Sequence, residues 1–192
     1  MTLPIIMDRV DTFVDAGANI GIFSCIIARR RLFQPEFRVM AFEPHPDTFV
    51  RLQANAIEWG IETYNIALGA DDSRDEFVDG AVSNVFTKLD QASCYNISNE
   101  RVLVNIRPLD SFCLSDRKIF LKIDVEGQEY NVLLGAIGLF ESKSVVGIYF
   151  DGFSDQRVLT FLRKFNFEFF DLRQLKKCDG NVFALLAVKT DQ

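Results

Sequence analysis

The chain has 192 residues, of which 48% are hydrophobic and 25% charged, as in an ordinary globular protein, and this length predicts a single domain spanning 1–192. The net charge of −6 argues against a nucleic-acid partner, because binding a phosphate backbone needs clustered Lys and Arg. No apolar run reaches the roughly 18 residues of a membrane span, and no signal peptide is visible. We therefore expect no membrane partner and a cytoplasmic protein. Four scattered cysteines and one histidine predict neither a disulfide framework nor a metal site.

Strands alternate with helices along most of the chain, as the hydrophobic periodicity shows. In the first part we predict a strand closing on Asp15, a helix over 20–31, a strand over 37–44, a helix over 47–60 with Asp47 as N-cap and Gly60 as stop, and a strand over 62–68. Short strands within 69–117 indicate an antiparallel excursion. The rest predicts a strand over 118–127, a helix over 128–140, a strand over 144–153, a helix over 154–166, and a terminal hairpin of strands 167–175 and 181–190. This order predicts an α/β fold with a mostly parallel sheet and helices on both faces.

A glycine turn follows the first strand, with Gly17 and Gly21 on either side of Asn19. In such sheets ligands bind at the carboxyl ends of the strands, and a turn of this kind opens a helix whose N–H groups can face a ligand. A dinucleotide fingerprint would need glycine where Asn19 and Ile22 stand, and the P-loop pattern is absent. A dinucleotide or nucleotide-sugar enzyme is therefore the less favoured alternative.

The acids near this turn favour a cationic ligand. Asp15 would repel a pyrophosphate and would attract an ammonium group. S-adenosylmethionine carries an ammonium, a sulfonium and a ribose with two hydroxyls, and Glu43, at the end of the second strand, is placed to accept hydrogen bonds from such hydroxyls. Each bond of this kind contributes roughly 1.5–3 kcal/mol. The alternative for Glu43 is an ordinary surface acid.

Five segments resemble the FkbM family of S-adenosylmethionine-dependent methyltransferases, in the family's order over residues 13–136. They read FVDAGANIGIFS, AFEPHPDTFVRLQANA, NIALG, RPLDSF and LKIDVEGQEYNVLLGA. The resemblance implies a class I methyltransferase, Rossmann-like sheet of seven strands with the last antiparallel. It also implies methyl transfer to a hydroxyl, often of a sugar or secondary metabolite, so the expected partner is a small-molecule or glycan acceptor.

Two features depart from the family pattern. Only about a dozen residues precede the first strand, so we expect a short N-terminal region without the full cap over the cofactor. Asp151 stands after the fifth strand, where the family often has Glu. The predicted cofactor-binding residues are Asp15, Gly17, Ala18, Asn19, Gly21, Glu43, Pro44, His45, Asn65, Asp124 and Glu126.

Charged residues alternate in the segment LKIDVEG, which places Lys122, Asp124 and Glu126 on one face if the strand continues. A central parallel strand is usually apolar on both faces, so these charges need partners or a cleft. Asp124 is the candidate catalytic residue, facing the methionine part of the cofactor or the acceptor. The alternative is an ion pair with Lys122. Glu126 and Glu129 fit either a functional role or stabilisation of a helix N-terminus.

His45 and Asn65 each leave two roles open. We favour an adenosine contact or an exposed loop position for His45 over a catalytic base, because it lies just beyond the ribose acid. Asn65 fits either an adenine contact or a turn at a strand end.

The chain is thus interpreted as an O-methyltransferase. The alternative from another class is a cofactor-binding module that needs a partner or a second copy, for example in a homo-oligomer. Turnover by the purified chain alone would distinguish the two.

Overall fold

A computed structural model describes residues 8–80, 86–88 and 97–190, with side chains described over 8–78 and 101–190. Its strands are β1 (Thr12–Ala16), β2 (Arg38–Phe42), β3 (Glu62–Tyr64), β4 (Ala67–Leu68), β5 (Ser73–Gly80), β6 (Phe86–Lys88), β7 (Ile97–Arg107), β8 (Ile119–Ile123), β9 (Val145–Asp151), β10 (Phe167–Asp171), β11 (Lys176–Cys178) and β12 (Ala184–Lys189). Its α-helices are α1 (Ile22–Ala28), α2 (Pro46–Ala56), α3 (Glu129–Leu134), α4 (Ile137–Glu141) and α5 (Gln156–Lys164), and short 3-10 turns follow α1 and α2.

The main sheet has eight strands in the order β11-β10-β12-β9-β8-β1-β2-β3. The pairs from β9 to β3 are parallel, whereas β12 runs antiparallel to both β9 and β10. The predicted α/β class, the parallel sheet and the antiparallel last strand are therefore confirmed. The eighth strand is the short edge strand β11, which lies within the segment KKCDG that we expected to be only a turn.

Helices cover both faces of this sheet, and the pleat divides the apolar side chains between two layers. On one face Val14 and Leu121 pack beneath α3, α4 and α5. On the other face Phe13 stacks on Phe120 at a centroid distance of 6.1 Å, beneath α1 and α2. The sheet order reverses at β1, because the chain runs outward through β2 and β3 and then returns to β8 on the other side of β1. Sheets of this kind bind ligands outside the strand ends at such a point.

The predicted excursion within 69–117 is confirmed as a second sheet of four strands, in the order β4-β7-β5-β6. Part of the predicted strand over 83–89 lies outside the described residues. Gly69, the residue after β4, contacts Gly135, the residue after α3. A Cβ atom on Gly135 would lie 1.9 Å from the carbonyl oxygen of Gly69, so the two backbones touch without side chains between them.

Several predicted boundaries are wrong by a few residues. The strand predicted over 118–127 ends at Ile123, since Glu126 and Gly127 adopt positive φ angles of 49° and 93°. The helix predicted over 128–140 is divided into α3 and α4 at Gly135. His45, and not Asp47, caps α2, whereas Gly60 ends the following 3-10 turn as predicted.

In the part of the chain that the structure describes, no helix has the length and apolar character needed to cross a membrane.

Candidate active site

The turn after β1 bonds mainly to the protein itself. The N–H groups of Gly17 and Ala18 both donate to the carbonyl oxygen of Phe42, at 3.0 and 2.9 Å, and Gly21 donates to Ala18. The N–H of Asn19 donates to Glu43 Oε2 at 2.9 Å. The amides of Gly17, Ala18 and Asn19 are therefore engaged at the end of β2, and a turn so engaged is poorly suited to cradle a phosphate, as the sequence predicts.

The conformation of this turn also explains its glycines. Gly17 and Gly21 have φ angles of 74° and 86°, which side chains rarely adopt. A Cβ atom on Gly17 would lie 1.9 Å from the carbonyl oxygen of Asp124, and one on Gly21 would lie 2.6 Å from Leu52 Cδ1. Both glycines are needed by internal packing, whether or not a ligand also approaches the turn.

Asp15 is fully buried and meets two side chains of the protein. Lys122 Nζ lies 3.0 Å from Asp15 Oδ1, an ion-pair distance without hydrogen-bond geometry, and Ser24 Oγ donates to Asp15 Oδ2 at 2.7 Å. Lys122 Nζ also donates to the carbonyl oxygen of Gly17 at 2.9 Å. Contact between Asp15 and a cofactor ammonium stays a prediction, but the negative charge of Asp15 already faces a buried cation.

Glu43 is 6% exposed at the end of β2, and its two carboxylate oxygens hold two backbone segments together. Oε2 accepts from Asn19 and Oε1 accepts from the N–H of His45, both at 2.9 Å. Burial raises the pKa of Glu43, and the two backbone hydrogen bonds oppose part of that rise. Glu43 is thus not an ordinary surface acid.

The two residues whose roles the sequence left open both have structural roles. His45 Nδ1 accepts from the N–H of Thr48 at 3.3 Å and so caps α2, which places the imidazole proton of a neutral ring on Nε2. Asn65 Nδ2 donates to the carbonyl oxygens of Glu43 and Pro44 at 2.9 and 3.0 Å. Asn65 is therefore a turn residue that supports the end of β2, and an adenine contact by it stays a prediction.

Two clefts open at the carboxyl ends of the strands and share Gly17, Asn19 and Asp124. The first cleft, of about 250 Å³, is lined by these three residues and by Phe42, Glu43, Pro44, Ile66, Ala67, Leu68, Gly69, Ala70, Asp71, Ser73, Phe77, Ile106, Val125, Glu126, Gln128 and Asn131. The second cleft, of about 600 Å³, is lined by the same three and by Ala18, Ile20, Ile22, Phe23, His45, Asp47, Thr48, Arg51 and Lys122. Eight of the eleven predicted residues line a cleft, and Asp15, Gly21 and Asn65 line neither.

Asp124 lies at the junction of the two clefts, just beyond the last residue of β8. Its side chain is 35% exposed, and its Oδ2 lies 3.5 Å from Lys122 Nζ. Burial raises the pKa of Asp124, the Lys122 ammonium opposes the rise, and the charge of Asp151 adds to it. The pair with Lys122 that the sequence offered as an alternative does form, but it leaves Asp124 accessible from both clefts.

Further acids surround Asp124. Burial raises the pKa of Glu126, and the charges of Asp124 and Glu129 add to this rise. Asp151 ends β9 and accepts a hydrogen bond from the Tyr149 hydroxyl at 3.2 Å. Burial and the charge of Asp151 raise the pKa of Tyr149 to about 12, so this phenol keeps its proton. Within the described residues, no group of three or more His, Cys, Asp or Glu side chains is arranged to hold a metal ion.

Sequence reasoning missed three polar residues of this region. Gln128 and Asn131 line the first cleft from α3, and Tyr149 lies beside Asp151. The alternation of Tyr149 with Asp151 in IYFDGF was the available signal for the tyrosine, because residues two apart on a strand share a face. No signal marked the amides, since polar residues at the start of a helix are common.

The strand order, the direction of the strands and the clefts at their carboxyl ends define a class I methyltransferase fold of the Rossmann-like type. Methyltransferase FkbM from Methylobacillus flagellatus superposes with a TM-score of 0.58 at 18% identity, covering 94% of this chain and 44% of the other. A TehB-like S-adenosylmethionine-dependent methyltransferase from Corynebacterium glutamicum superposes with a TM-score of 0.51 at 12% identity, covering 98% and 86%. At these identities the likeness establishes the fold.

The family follows from the sequence comparison. Residues 15–169 match the model of the methyltransferase FkbM domain, so the chain belongs to this family. It is 30% identical over 149 residues to Methyltransferase 1 of Beauveria bassiana, covering 65% of this chain and 58% of the relative. It is 28% identical over 141 residues to the hexuronic acid methyltransferase AglP of Haloferax volcanii, covering 71% and 54%. The chain thus spans about half the length of the curated relatives it matches.

Proposed function

We propose that this protein is an S-adenosylmethionine-dependent O-methyltransferase acting on a hydroxyl of a sugar or secondary metabolite. Membership of the FkbM family supports methyl transfer, and the name of the Haloferax volcanii relative supports a carbohydrate acceptor. The observation that carries the proposal is the position of Asp124, which lines both clefts at the point where they meet. One cleft is assigned to the cofactor and the other to the acceptor.

The residues of the first cleft fit the cofactor. Each oxygen of Glu43 accepts one backbone hydrogen bond and keeps a lone pair, so the carboxylate can accept from the two hydroxyls of a ribose. Asp124 and Glu126 bring negative charge to the same cleft, which suits a cationic sulfonium and ammonium. When bound, S-adenosylmethionine supplies an electrophilic methyl group on a positively charged sulfur.

Asp124 is assigned as the general base. Burial raises its pKa, which makes its carboxylate a stronger proton acceptor than an ordinary aspartate. The Lys122 ammonium at 3.5 Å favours the ionised form that a base needs. Asp124 would accept the proton of the acceptor hydroxyl as the methyl group passes from sulfur to oxygen, so that the carbon–sulfur bond breaks as the carbon–oxygen bond forms and adenosylhomocysteine is the second product. Holding both reactants at one junction further increases the reaction rate, because reactants that are already positioned react without the entropic cost of an encounter.

The second cleft suits a hydroxyl-rich acceptor. Phe23 is 45% exposed in its wall and offers an apolar ring, with Lys122 Nζ 5.4 Å from the ring centroid. Thr48, Asp47 and Arg51 add a hydroxyl, a carboxylate and a guanidinium to the same wall. An aromatic surface combined with a few polar groups is typical of small-molecule sites. The guanidinium is also suited to the carboxylate of an acidic sugar.

The test uses the purified full chain. Adenosylhomocysteine at about 100 times its dissociation constant should stabilise the fold by roughly 2.7 kcal/mol, on the order of 5–10 °C in melting temperature, and NAD should have little effect. Turnover is then measured with S-adenosylmethionine and a panel of neutral sugars, hexuronic acids and phenols. A larger melting shift with NAD than with adenosylhomocysteine would contradict the proposal.

One observation favours a second candidate, a module completed by a partner or a second copy. Ile22 and Ile26 are 60% and 59% exposed on α1, and Ile22 borders the second cleft. Exposed apolar side chains beside a cleft can mark an interaction surface. Specific activity measured against protein concentration separates the candidates, because a chain that is active alone gives a constant value and a self-completing module gives a rising one.

A further inference from the structure

Gln128 carries a buried donor that the fold does not use. Its side chain is 5% exposed, and Nε2 has no hydrogen-bond partner among the described residues. The other end of the amide is occupied, since Asn131 Nδ2 donates to Gln128 Oε1 at 2.8 Å. Leaving a buried donor unpaired costs about 1–3 kcal/mol, so such a group in a cleft wall calls for a ligand that accepts from it.

The two amides lie on the face of α3 that looks toward the second sheet. Asn131 lies in α3, and Gln128 and Gly135 flank the helix, three residues before and four residues after Asn131, a spacing that places the three on one side of the helix. The contact of Gly135 with Gly69 fixes that side against the residue that follows β4. Glu129 also has a buried oxygen without a partner, but it does not line the first cleft, whereas Gln128 and Asn131 do.

The walls around the two amides are apolar. Ile66, Leu68, Phe77 and Ile106 line the same cleft from the segment after β3 and from the second sheet. Asp124 lies instead where the first cleft meets the second, so the reacting end of a bound cofactor belongs at that junction. A flat group with apolar faces and a polar edge fits the part of the cleft that the amides and these apolar residues form.

We propose that Gln128 and Asn131 recognise the adenine base of the cofactor by hydrogen bonds to its polar edge, an inference that rests on the function proposed above. Gln128 Nε2 donates to a ring nitrogen of adenine, and Asn131 Oδ1 accepts from the exocyclic amino group. Paired with each other, the two amides present one donor and one acceptor side by side, and this is the pattern that an adenine edge complements. Gln128 and Asn131 are thus specificity-determining residues for the cofactor.

The experiment combines a variant with altered ligands. Gln128→Met keeps the length of the side chain and removes the donor, and Gln174→Met is the control at an exposed position. Calorimetry measures the affinity of each protein for adenosylhomocysteine and for its 1-deaza and 7-deaza analogues, each of which lacks one ring nitrogen. Thermal unfolding of each variant shows whether it is folded.

We expect Gln128→Met to bind adenosylhomocysteine about 10-fold more weakly, the effect of one net hydrogen bond. In the unchanged protein, one of the two deaza analogues should bind about 10-fold more weakly than adenosylhomocysteine. In Gln128→Met, that analogue and adenosylhomocysteine should bind with equal affinity. Equal affinities for all three ligands in the unchanged protein, or the same ratio in Gln128→Met, would overturn the assignment while leaving the proposed function intact. Absence of adenosylhomocysteine binding to the unchanged protein would overturn both.

Discussion

Asp15 and Lys122 are direct neighbours across β1 and β8, and their side chains form an ion pair at 3.0 Å inside the protein. Asp15 is fully buried and Lys122 is 3% exposed. Ser24, the carbonyl oxygen of Gly17 and the carboxylate of Asp124 supply further polar contacts. Because Gly17 begins the turn that both clefts share, this buried pair connects the interior of the sheet to the candidate active site.

Lys122→Met should destabilise the fold by about 3–5 kcal/mol, because it leaves the charge of Asp15 buried without a cation. Urea denaturation measures the free energy of unfolding. Lys177→Met is the matched control, since Lys177 is 62% exposed and pairs with Glu168 at 2.6 Å, and it should change the free energy by less than about 1 kcal/mol. Similar losses in both variants would show that the buried pair has no special role.

Glu43→Gln should weaken binding of adenosylhomocysteine by about 1.5–3 kcal/mol, because the ribose hydroxyls lose a charged acceptor. The two backbone hydrogen bonds of Glu43 predict an effect on the stability of the fold as well. A glutamine has one oxygen, so one backbone N–H loses its acceptor and the unfolding free energy should fall by about 1–3 kcal/mol. Calorimetry and urea denaturation measure the two effects, and unchanged affinity would remove Glu43 from the ribose site.

The raised pKa of Glu43 predicts opposite pH dependences for folding and binding. Its pKa lies above the ordinary value of 4.5, so the native state binds this proton more tightly than the unfolded state does. The contribution of Glu43 to the unfolding free energy therefore increases as pH falls through the interval above 4.5. Cofactor affinity should decrease over the same interval, because the carboxylate is the better acceptor. Glu43→Gln should weaken both dependences by the part that Glu43 contributes, and identical pH profiles for affinity in the two proteins would argue against this assignment.

Asp124→Asn should lower turnover by roughly 10²–10⁴-fold at saturating cofactor, because the amide cannot accept the hydroxyl proton. The free energy of unfolding should fall by less than about 1 kcal/mol, because Asp124 is partly exposed. Lys122 also retains two partners, Asp15 and the carbonyl oxygen of Gly17. Steady-state kinetics, calorimetry and thermal unfolding separate chemistry, binding and stability. Full turnover at saturating cofactor would assign Asp124 to cofactor binding alone.

Gly17→Ala should destabilise the fold more than Gly60→Ala. Both glycines have positive φ angles, 74° and 60°, so each alanine costs about 1–2 kcal/mol of backbone strain. At position 17 the added methyl also meets the backbone of Asp124 at 1.9 Å, whereas at position 60 it meets the end of the Arg31 side chain at 2.7 Å. Urea denaturation should show that the loss of unfolding free energy is larger for Gly17→Ala by about 2 kcal/mol or more. Equal losses would mean that the backbone just after β8 moves aside at little energetic cost.

The fold was largely readable from the sequence, and the site was readable in part. Period-2 and period-3.6 patterns report which face of an element is buried, and they predicted most elements and the antiparallel excursion. The sequence carries no comparable pattern for the register between strands that are far apart in the chain. The sequence therefore offers Asp124, two residues away, as an alternative partner of Lys122, but it gives no sign of Asp15, which is 107 positions away in the chain.

The other differences between prediction and structure arise where two interpretations suit the same short segment. Asp47 and His45 both stand near the start of α2, and aspartate is the more usual N-cap, but His45 has the extended backbone that a cap requires. The sequence predicts that the glycines of the turn make room for a ligand; the structure shows that they make room for Asp124 and Leu52, and the approach of a ligand to them stays a prediction. A second backbone segment that approaches closely requires glycine, and so does a ligand that approaches closely. The sequence alone therefore cannot distinguish the two cases.

The contact of Gly135 with Gly69 sets how near the second sheet stands to α3, and so it sets the width of a cleft that Gly135 itself does not line. A single methyl group at position 135 would act as a spacer between two layers of the protein. Under the adenine assignment proposed above, a protein remodelled in this way would admit cofactor analogues with an enlarged base while its reacting end stayed unchanged. The glycine pair is therefore a place where engineering could alter cofactor choice at a distance from the chemistry.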